Sequence, residues 1–468
     1  MGRPGSIAVL DVGKSNVKLS ACDAAGHVVE TLTTPNRVLP GPPWRHHDLR
    51  SLNEWVLAGL ADLGRRHPLA HFVASGHGSG GVLVGDDPDA GGDGVVLPMV
   101  DYEQPLPDGL AKAYAPLAGD FFDRGSAVMM AATHTARQMF WAERDRPADF
   151  ARARWCLGIP QYWAWRLTGM AVSEATILGA QSHLWNVARG DWSPIVAGRG
   201  WGRLMPPFAK ASDDLGPVRA ALEAKGVPQL RVHAGVHDSS ANFHRYRAAG
   251  MAGICVISTG TWIVALADGV ALSRLDEARG MTLNADVAGA PVGGALTMGG
   301  REYSAVAGDQ PEDARVDRAV LVRLIARGTM ALPSFGTNDG QFPGTAGLGR
   351  IVGPPPASAA ERHALAVLYV ALLTVECGNR LDATREWVLD GSFLRDPAFA
   401  ALVAALRPGR VTRVNAEGYG IAAGAAALFQ PDRAMPAPDL ADPLPLPGLD
   451  GLTDYAARWR ALAEDGTK

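Results

Sequence analysis

The sequence predicts an α/β protein built from two related domains that face each other. The chain has 468 residues, well above the ~100 to 200 residues of a single domain. A strand-turn-strand segment at residues 7–19 recurs in outline at residues 254–266, an offset of 247 residues. Segments with strand and helix periodicity alternate on both sides of a boundary near residue 245. Length, repeat and alternation therefore favour two domains of one architecture.

Composition and charge narrow the class of ligand. Apolar residues make up 47% of the chain and charged residues 20%, as in an ordinary globular protein. Lys and Arg number 44 against 48 Asp and Glu, a formal charge of −4. Such a balance supplies no cationic field for nucleic acid or for an anionic membrane. We therefore expect a small-molecule ligand, no nucleic acid and no membrane.

Cysteine usage and the N-terminus predict a cytoplasmic protein. Cys22, Cys156, Cys255 and Cys377 are far apart and form no CxxC pair, which favours buried thiols in a reducing compartment. Residues 1–6 lack an apolar signal core. The longest apolar stretch, 364–375, is shorter than the ~18 residues that suggest a membrane span.

The two repeated segments each read as a β-hairpin with a glycine turn. Gly13 and Gly260 lie at the centres of the turns, with small polar neighbours. Turns rich in backbone N–H groups are natural cradles for anions. Two unrelated hairpins remain an alternative at this point, since strand-glycine-strand patterns are common.

The remaining elements follow in order along the chain. The first half contains a helix at 52–66, a strand at 71–75, strands at 82–84 and 95–100 around a polar turn, and a mostly helical insertion at 141–201 with seven of the 12 tryptophans. The second half contains a long helix at 357–381, a strand at 387–389, an Ala-rich helix at 421–429, a Pro-rich connector at 431–447 and a helix at 452–463. We expect the last helix to pack back on the first domain.

Two familiar nucleotide motifs are matched in letters but excluded by context. The segment from Gly76 to Gly81 satisfies GxGxxG, but another strand follows where a pyrophosphate site needs a helix N-terminus. Gly13-Lys14-Ser15 imitates the end of a P-loop, again with a strand in place of the helix. The sequence thus favours neither a Rossmann site nor a P-loop.

Three segments gain chemical meaning when taken together: 11–18, 237–242 and 258–261. The two glycine turns could hold a polyphosphate, with Lys14 neutralising charge and Asp11 placed as a carboxylate for hydrated Mg²⁺. Asp238 would then face the acceptor. Phosphoryl transfer needs positioning, charge neutralisation and one carboxylate that accepts the acceptor's proton.

The order of these motifs resembles the FGGY carbohydrate kinases over nearly the whole chain. The resemblance is carried by Asp11-Val-Gly13-Lys-Ser-Asn, by Gly158-Ile-Pro-Gln-Tyr-Trp with Ser173-Glu-Ala-Thr176, by Gly235-Val-His237-Asp238 and by Ser258-Thr-Gly260-Thr-Trp262. The His-Asp-Ser-Ser-Ala and Ile-Ser-Thr-Gly-Thr-Trp runs are most similar to the rhamnulokinase branch. The resemblance implies two actin-like ATPase (ribonuclease H-like) domains facing across a nucleotide and sugar cleft.

The resemblance also implies domain boundaries. Residues 1–245 would form the N-terminal, sugar-binding domain, with a helical insertion at about 125–205. Residues 246–430 would form the C-terminal, nucleotide-binding domain, and 431–468 the Pro-rich connector and final helix.

Site residues carry over by position. The resemblance implies Asp238 as catalytic base, with Asp11 and Asp238 holding Mg²⁺ partly through water. The implied phosphate-binding residues are Asp11, Gly13, Lys14, Ser15, Asn16, Thr259, Gly260 and Thr261, and the adenosine-binding residues are Gly391 and Ser392. The implied sugar-binding residues are His77, Gly78, Asp101, Tyr102, His237 and Asp238.

Two departures from the family bear on the substrate. Met99-Val-Asp101-Tyr102-Glu103 stands where many members carry Trp-x-Asp-x-Arg. Lys14 stands where relatives often have a small hydroxyl residue, which could strengthen phosphate binding or alter nucleotide choice.

The expected function is ATP- and Mg²⁺-dependent phosphorylation of a primary or terminal hydroxyl of a small sugar, above all a ketose such as a pentulose or deoxyhexulose. A kinase of a polyol such as glycerol, and a non-catalytic actin-like nucleotide-binding regulator, are the alternatives. The oligomeric state stays open, with a homodimer as one option.

Overall fold

The computed structural model describes residues 6–23, 25–311, 313–382, 384–415, 417–429 and 435–466. Residues 1–5, and residues 431–434 at the start of the expected connector, lie outside the described residues. The chain divides into two compact units. Unit one comprises Met1–Met251, Leu283–Pro291 and Tyr419–Ala437, and unit two comprises Ala252–Thr282, Val292–Gly418 and Pro438–Lys468.

Unit one contains the first fourteen strands and most of the short helices. Its strands are β1 Ser6–Val12, β2 Asn16–Cys22, β3 Val28–Pro35, β4 Val38–Leu39, β5 His46–His47, β6 Leu69–Gly76, β7 Gly81–Val84, β8 Val95–Leu97, β9 Trp155–Gly158, β10 Trp185–Asn186, β11 Asp191–Trp192, β12 Asp214–Pro217, β13 Arg231–His233 and β14 Val236–His237. Its helices up to residue 251 are α1 Leu49–Arg66, α2 Leu110–Tyr114, α3 Phe121–Arg124, α4 Thr135–Asp145, α5 Pro147–Arg152, α6 Ile159–Thr168, α7 Ala175–Leu178, α8 Pro194–Gly198, α9 Ala220–Glu223 and α10 Asp238–Ala248.

The later elements belong mainly to unit two. The strands are β15 Ile254–Thr259, β16 Ile263–Ala267, β17 Met281–Ala285, β18 Pro291–Thr297, β19 Met330–Leu332, β20 Arg350–Val352, β21 Glu386–Gly391, β22 Thr412–Asn415 and β23 Leu440–Ala441. The helices are α11 Gly299–Ala307, α12 Arg318–Arg327, α13 Ala359–Asp382, α14 Pro397–Ala405, α15 Gly420–Ala427 and α16 Leu452–Asp465, of which α15 lies in unit one.

The main sheet of unit one is buried on both faces. Its strand order is β12-β13-β6-β1-β2-β3, with β14 also paired to β6. Alternate residues of a strand point to opposite faces. Leu10 on β1 accordingly packs in one core with Val56 of α1, while its neighbour Val9 packs in another with Ala241 of α10 and Ala425 of α15. Helices on both sides of the sheet therefore fix the ends of β1 and β14.

The sheet of unit two repeats this order over six strands and adds β17 at one edge. Its order is β17-β18-β16-β15-β21-β22-β23. In each unit a hairpin strand pairs antiparallel to its partner and parallel to a later strand, β1 with β2 and β6, and β15 with β16 and β21. The next pairs, β6 with β13 and β21 with β22, are also parallel. This shared topology excludes two unrelated hairpins, because the repeat extends beyond the turns to the whole sheets.

The tryptophan-rich insertion is mostly helical, as predicted, but its tryptophans serve mainly as core. Trp141, Trp163, Trp165, Trp185 and Trp201 are all buried. The segment also contributes β9, which pairs with β7. Burial of these rings supplies the apolar area on which the insertion depends.

Helix α13 is the core helix of unit two. It is long and apolar enough to cross a membrane by length and composition, yet 89% of its most apolar window is buried inside the protein. Cys377 on this helix is buried and unpaired, as are Cys22, Cys156 and Cys255, so the expectation of four core thiols is confirmed.

The final helix was expected on the first domain, and that expectation is wrong. The hydroxyl of Tyr455 on α16 donates to the carbonyl of Thr329 at 2.6 Å, and Nε1 of Trp459 donates to the carbonyl of Ala331 at 2.7 Å. Both acceptors belong to unit two. The amphipathic pattern of α16 showed that one face is buried without showing against which partner.

Candidate active site

The first glycine turn joins β1 to β2 and is held by hydrogen bonds. The Gly13 N–H donates to the Asn16 carbonyl at 3.1 Å, and Nδ2 of Asn36 donates to the Gly13 carbonyl at 2.8 Å. Ser15 and Asn16 are exposed on this turn. Three of the residues predicted to bind phosphate, Gly13, Ser15 and Asn16, therefore share one ordered turn that is open to solvent.

Asp11 precedes this turn as the last-but-one residue of β1. Its Oδ1 is buried and has no hydrogen-bond partner in the part of the chain that the structure describes. Burial, and then the negative charge of Asp238, raise the pKa of Asp11 to about 7, against a smaller opposing effect of Lys18. Asp11 thus carries a buried acceptor that the protein leaves unsatisfied, close to a second carboxylate.

Asp238 is the first residue of helix α10. Its Oδ1 accepts a hydrogen bond from the Ser239 N–H at 2.5 Å and one from the Ser239 hydroxyl at 3.1 Å. Nε2 of His237 lies 3.1 Å from the same oxygen. The side chain of Asp238 keeps 22% exposure. This carboxylate is therefore fixed in orientation while remaining accessible to a ligand hydroxyl.

A chain of hydrogen bonds fixes the backbone just before Asp238. The His237 N–H donates to Oγ1 of Thr176 at 2.9 Å, and that hydroxyl donates to Glu174 at 2.6 Å. Glu174 also accepts from the backbone N–H groups of Thr176 and Ile177 at 2.9 and 3.1 Å. Glu174 is buried, which raises the pKa of its carboxyl to about 7. Glu174 and Thr176 thus act on Asp238 through the main chain.

The turn that leads into β14 is held in the same region. Nε2 of Gln161 donates to the carbonyls of Ala234 and Gly235 at 3.0 and 3.2 Å. Gly235 has φ +91°, and a Cβ there would lie 2.7 Å from the Ala74 carbonyl oxygen. Only glycine fits this position, and it places His237 and Asp238 at the end of the sheet.

Three predicted sugar-binding residues, His77, Gly78 and Tyr102, lie in unit one beside a residue that the motifs did not single out, His47. His77 is buried, and neither ring nitrogen has a hydrogen-bond partner among the described residues. Its ring centroid lies 5.3 Å from that of Tyr102 and 5.9 Å from that of His47. Burial holds the pKa of His77 well below its usual value, so the ring is neutral. A neutral ring offers one donor and one acceptor to a ligand.

Gly78 is needed for close packing beside His77. A Cβ at Gly78 would lie 2.4 Å from both Cβ and the carbonyl oxygen of Ala180. Its glycine identity is therefore explained by packing against the segment after α7.

Lys14, predicted to bind phosphate, contacts residues predicted to bind the sugar. Its Nζ donates to Oδ1 of Asp101, and Nε of Arg45 lies 2.7 Å from the other oxygen of that carboxylate. Nζ also lies 5.0 Å from the centroid of the Tyr102 ring. The structure thus brings Lys14, predicted among the phosphate-binding residues, together with Asp101 and Tyr102, predicted among the sugar-binding residues.

The second glycine turn joins β15 to β16 in unit two. The Gly260 N–H donates to the Trp262 carbonyl at 2.9 Å. The Thr259 hydroxyl donates to the Asp390 carbonyl at 2.8 Å. A Cβ built on Gly260 would meet no protein atom closer than Oγ of Ser392 at 3.8 Å. The space above Gly260 is therefore open, although its chain neighbours are tightly held.

The predicted adenosine-binding residues lie directly beside this turn. Gly391 pairs in register with Thr259, has φ +101°, and a Cβ there would lie 2.0 Å from the Thr259 carbonyl oxygen. Asp390 is buried and accepts a hydrogen bond from Nδ2 of Asn415 at 3.0 Å. Unit two thus brings Thr259, Gly260, Gly391 and Ser392 to one end of its sheet.

Sequence motifs missed several residues of these sites. Gly300, at the start of α11, donates its N–H to the Thr261 carbonyl at 3.1 Å, and a Cβ there would lie 2.9 Å from the Gly260 carbonyl oxygen. Arg45 and His47 were also missed. The Gly299-Gly300 pair after an apolar strand was the one local signal that two backbone segments approach closely here. No local pattern around Arg45 or His47 indicated a place in these sites.

The residues present suit a magnesium ion. No group of three or more His, Cys, Asp or Glu side chains that could enclose a metal occurs in the described part of the chain. Mg²⁺ commonly takes one or two carboxylates and completes its shell with water and substrate phosphates. The orphan Oδ1 of Asp11 and the nearby carboxylate of Asp238 fit that pattern.

Comparison with known proteins decides the family. The model described as carbohydrate kinase FGGY, C-terminal domain, matches residues 251–437, and that of the FGGY family of carbohydrate kinases, N-terminal domain, matches residues 112–243. A carbohydrate kinase from Novosphingobium aromaticivorans is 30% identical, with a TM-score of 0.81, over 98% of this chain and 99% of that chain. The chain belongs to the FGGY family of carbohydrate kinases.

Two further relatives agree with this membership. An L-fuculokinase of Salmonella typhi is 27% identical over 271 residues, which span 55% of this FGGY chain and 55% of that protein. A xylulose kinase from Rhodospirillum rubrum shares the fold, with a TM-score of 0.77 and 20% identity over 98% of each chain. The expected fold class, α/β with two actin-like domains, is thereby confirmed.

Proposed function

We propose that this FGGY kinase transfers the γ-phosphoryl group of ATP to a primary or terminal hydroxyl of a small ketose, a pentulose or deoxyhexulose. The observation that carries the proposal is the placement of Asp238. It is a part-exposed carboxylate, fixed at the start of α10, beside His237 and in electrostatic reach of the orphan carboxylate of Asp11. The likeness to an L-fuculokinase supports a ketose, because fuculose is a deoxyhexulose.

Asp238 is the proposed general base. The sugar hydroxyl donates a hydrogen bond to the Asp238 carboxylate, its oxygen bonds to the γ-phosphorus, and the bond from that phosphorus to ADP breaks. The hydroxyl's proton passes to Asp238 as the new bond forms. The Ser239 N–H and hydroxyl hold Oδ1 of Asp238, which keeps the carboxylate aimed during the transfer.

The proposed binding roles of the other site residues divide between the two units. In unit one, Gly13, Ser15 and Asn16 would bind phosphate oxygens, while His77, Gly78, Asp101, Tyr102 and His237 would shape the sugar site. In unit two, Thr259, Gly260 and Thr261 would bind phosphate, with Gly391 and Ser392 at the adenosine. Mg²⁺, held by Asp11 and Asp238 partly through water, would neutralise charge on the phosphate oxygens. Four buried free thiols support a cytoplasmic location.

ADP release tests the proposal. The purified protein is assayed with ATP, Mg²⁺ and a panel of ketoses, aldoses and polyols that includes glycerol. The Asp238→Asn variant, which keeps the shape but removes the base, is compared with Asp108→Asn, a matched change at an exposed aspartate. We expect one or a few ketoses to stimulate turnover, and Asp238→Asn to lower kcat by roughly 100-fold or more.

The outcomes separate the alternatives. Stimulation by glycerol but by no ketose would replace the proposed substrate with a polyol. ATP binding without stimulation by any acceptor would favour the nucleotide-binding regulator. Full activity of Asp238→Asn would remove Asp238 from the role of base.

A further inference from the structure

Lys14, Asp101 and Arg45 form a cluster in unit one that we call the Lys14 clasp. Nζ of Lys14 donates to Oδ1 of Asp101, and Nε of Arg45 lies 2.7 Å from Oδ2. The Glu103 N–H donates to Oδ1 of Asp101 at 3.2 Å, and the Asp101 N–H donates to the Arg45 carbonyl at 2.9 Å. The carboxylate is therefore fixed by side chains and by the backbone on both sides of it.

Two of the three clasp side chains, those of Lys14 and Asp101, are largely buried. The side chain of Asp101 is 2% exposed and that of Lys14 is 12% exposed. Burial acts to raise the pKa of Asp101, but the hydrogen bond and charge of Lys14 hold it below its usual range. Withdrawing Lys14 towards a phosphate would leave the buried Asp101 carboxylate with the part-exposed Arg45 and the Glu103 N–H, and breaking a buried ion pair is strongly unfavourable.

The surroundings of the Lys14 ammonium group are those of the sugar site. Nζ lies over the ring of Tyr102, which meets His77 edge to face with ring centroids 5.3 Å apart. The positive charge of Lys14 contributes to the lowered pKa values of both His77 and His47, so both rings lie within its electrostatic reach. His77 in turn has two buried ring nitrogens without a partner among the described residues.

Neighbouring side chains on the first glycine turn differ in their exposure to solvent. Ser15 and Asn16 are exposed and remain open to a ligand in solvent, whereas the Lys14 side chain is nearly enclosed. A sugar hydroxyl donates one hydrogen bond and accepts others, so it pairs well with a neighbouring ammonium and carboxylate. A phosphate could use the ammonium but would be repelled by Asp101.

We propose that Lys14 is a sugar-binding, specificity-determining residue, and that its ammonium and Asp101 together bind a hydroxyl of the sugar other than the one phosphorylated. The inference rests on the proposed kinase function and deepens it. It selects acceptors by the position of a hydroxyl besides the reacting one, and it removes Lys14 from the ATP phosphate site.

Steady-state kinetics and ATP binding test the assignment. Lys14→Met and the charge-neutral pair Lys14→Met with Asp101→Asn are compared with Ser15→Ala, a matched change on the same turn that should affect phosphate binding. For Lys14→Met we expect the KM for the best sugar to rise roughly tenfold or more, while the Kd for a non-hydrolysable ATP analogue stays within about twofold. Ser15→Ala should show the reverse pattern.

The paired variant guards against misfolding. It leaves no unpaired buried carboxylate, so it should unfold at a urea concentration close to that of the wild type and still show the raised sugar KM. A loss of ATP affinity with an unchanged sugar KM would overturn the inference and restore Lys14 as a phosphate ligand. Equal losses of affinity for the sugar and for the ATP analogue, or no loss for either ligand, would also overturn the inference. Failure of the kinase proposal gives a different result, because the wild type itself would then show no sugar-stimulated ADP release.

Discussion

The two glycine turns occupy equivalent places in two sheets of the same topology, but they differ in charge. With the offset of 247 residues, Asp11 of the first turn corresponds to Ser258 of the second, and Lys14 corresponds to Thr261. The first turn thus carries a carboxylate and an ammonium group where the second carries two hydroxyl groups. The same scaffold presents charged groups in unit one and neutral groups in unit two.

The carboxylates on the neighbouring strands sharpen this difference. Asp11 pairs in register with Ser75 of β6, whereas Ser258 pairs with Asp390 of β21, so aspartate and serine have exchanged strands. Asp390 accepts a hydrogen bond from Asn415 at 3.0 Å, but Oδ1 of Asp11 has no partner among the described residues. The carboxylate of unit two therefore serves the fold, and that of unit one is left for a ligand.

The largest expected effect separates these two carboxylates. Asp11→Asn should lower kcat roughly 100- to 1000-fold, because it removes the carboxylate proposed to hold Mg²⁺ at the phosphate oxygens. Asp390→Asn should leave kcat within about threefold and cost about 1 to 2 kcal/mol of stability through the weakened bond from Asn415. Rates of ADP release and urea unfolding measure both. Equal rate losses would contradict the contrast.

Acid should destabilise unit one before unit two. Burial holds the pKa values of His77, His134 and His183 in unit one well below the usual value, while His363 is the sole histidine of unit two within the described residues. A lowered folded pKa means that the unfolded chain binds more protons below about pH 6.5. Their stabilising contribution is therefore complete above that pH and lost as the pH falls.

Each buried histidine contributes a loss of at most about 1.4 kcal/mol in the free energy of unfolding between about pH 7.5 and pH 5.5. The lowered pKa values of five further histidines of unit one act in the same direction, whereas the raised pKa values of Asp11 and Glu174 oppose the loss in this range. Hydrogen exchange read by mass spectrometry, corrected for the intrinsic pH dependence, should show amides of unit one opening first. Simultaneous opening of both units would refute the assignment of acid sensitivity to unit one.

Two glycines of unit two should respond differently. Gly391→Ala should destabilise the protein by about 3 kcal/mol, because its Cβ would overlap the Thr259 carbonyl at a positive φ. Gly260→Ala should cost less than about 1 kcal/mol, since the nearest atom is 3.8 Å away. Gly260→Ala should nevertheless weaken ATP binding, measured with a non-hydrolysable analogue. Unchanged binding would show that the open space above Gly260 is not a nucleotide site.

The smallest effect concerns the hydrogen-bond chain behind Asp238. Thr176→Val removes the hydroxyl between Glu174 and the His237 N–H and should lower kcat roughly tenfold with little change in the KM for ATP. Thr176→Ser keeps the hydroxyl and should restore kcat. A loss of kcat in both variants would mean that the methyl group, and hence packing, is what matters.

Local patterns in the sequence predicted much of the fold. The alternating strands around Gly13 and Gly260 predicted both hairpins, and the helix predicted at 357–381 is observed as α13. The motifs around Asp11 and Asp238 predicted that the two carboxylates serve one site, and the negative charge of Asp238 does act on Asp11. These features depend on short segments, whose periodicity and turn chemistry are visible in one sequence.

Features that join distant segments could not be predicted in this way. Lys14 and Asp101 are 87 positions apart, and neither position shows a pattern that reports the pairing. Arg45 lies on a third segment, and its role follows only from the fold of unit one. The position of α16 on unit two was missed for the same reason, because an amphipathic pattern marks a buried face without naming the surface that covers it.

Helix α15 has a consequence for how the protein is made. It belongs to unit one although about 170 residues separate it from α10, and a Cβ at Gly424 would lie 1.8 Å from the Ala241 carbonyl oxygen on α10. During synthesis α10 therefore receives this partner only after the chain has been made through Ala427. An N-terminal fragment ending near residue 251 would expose the apolar surface of α10, which makes that fragment a natural target for chaperones.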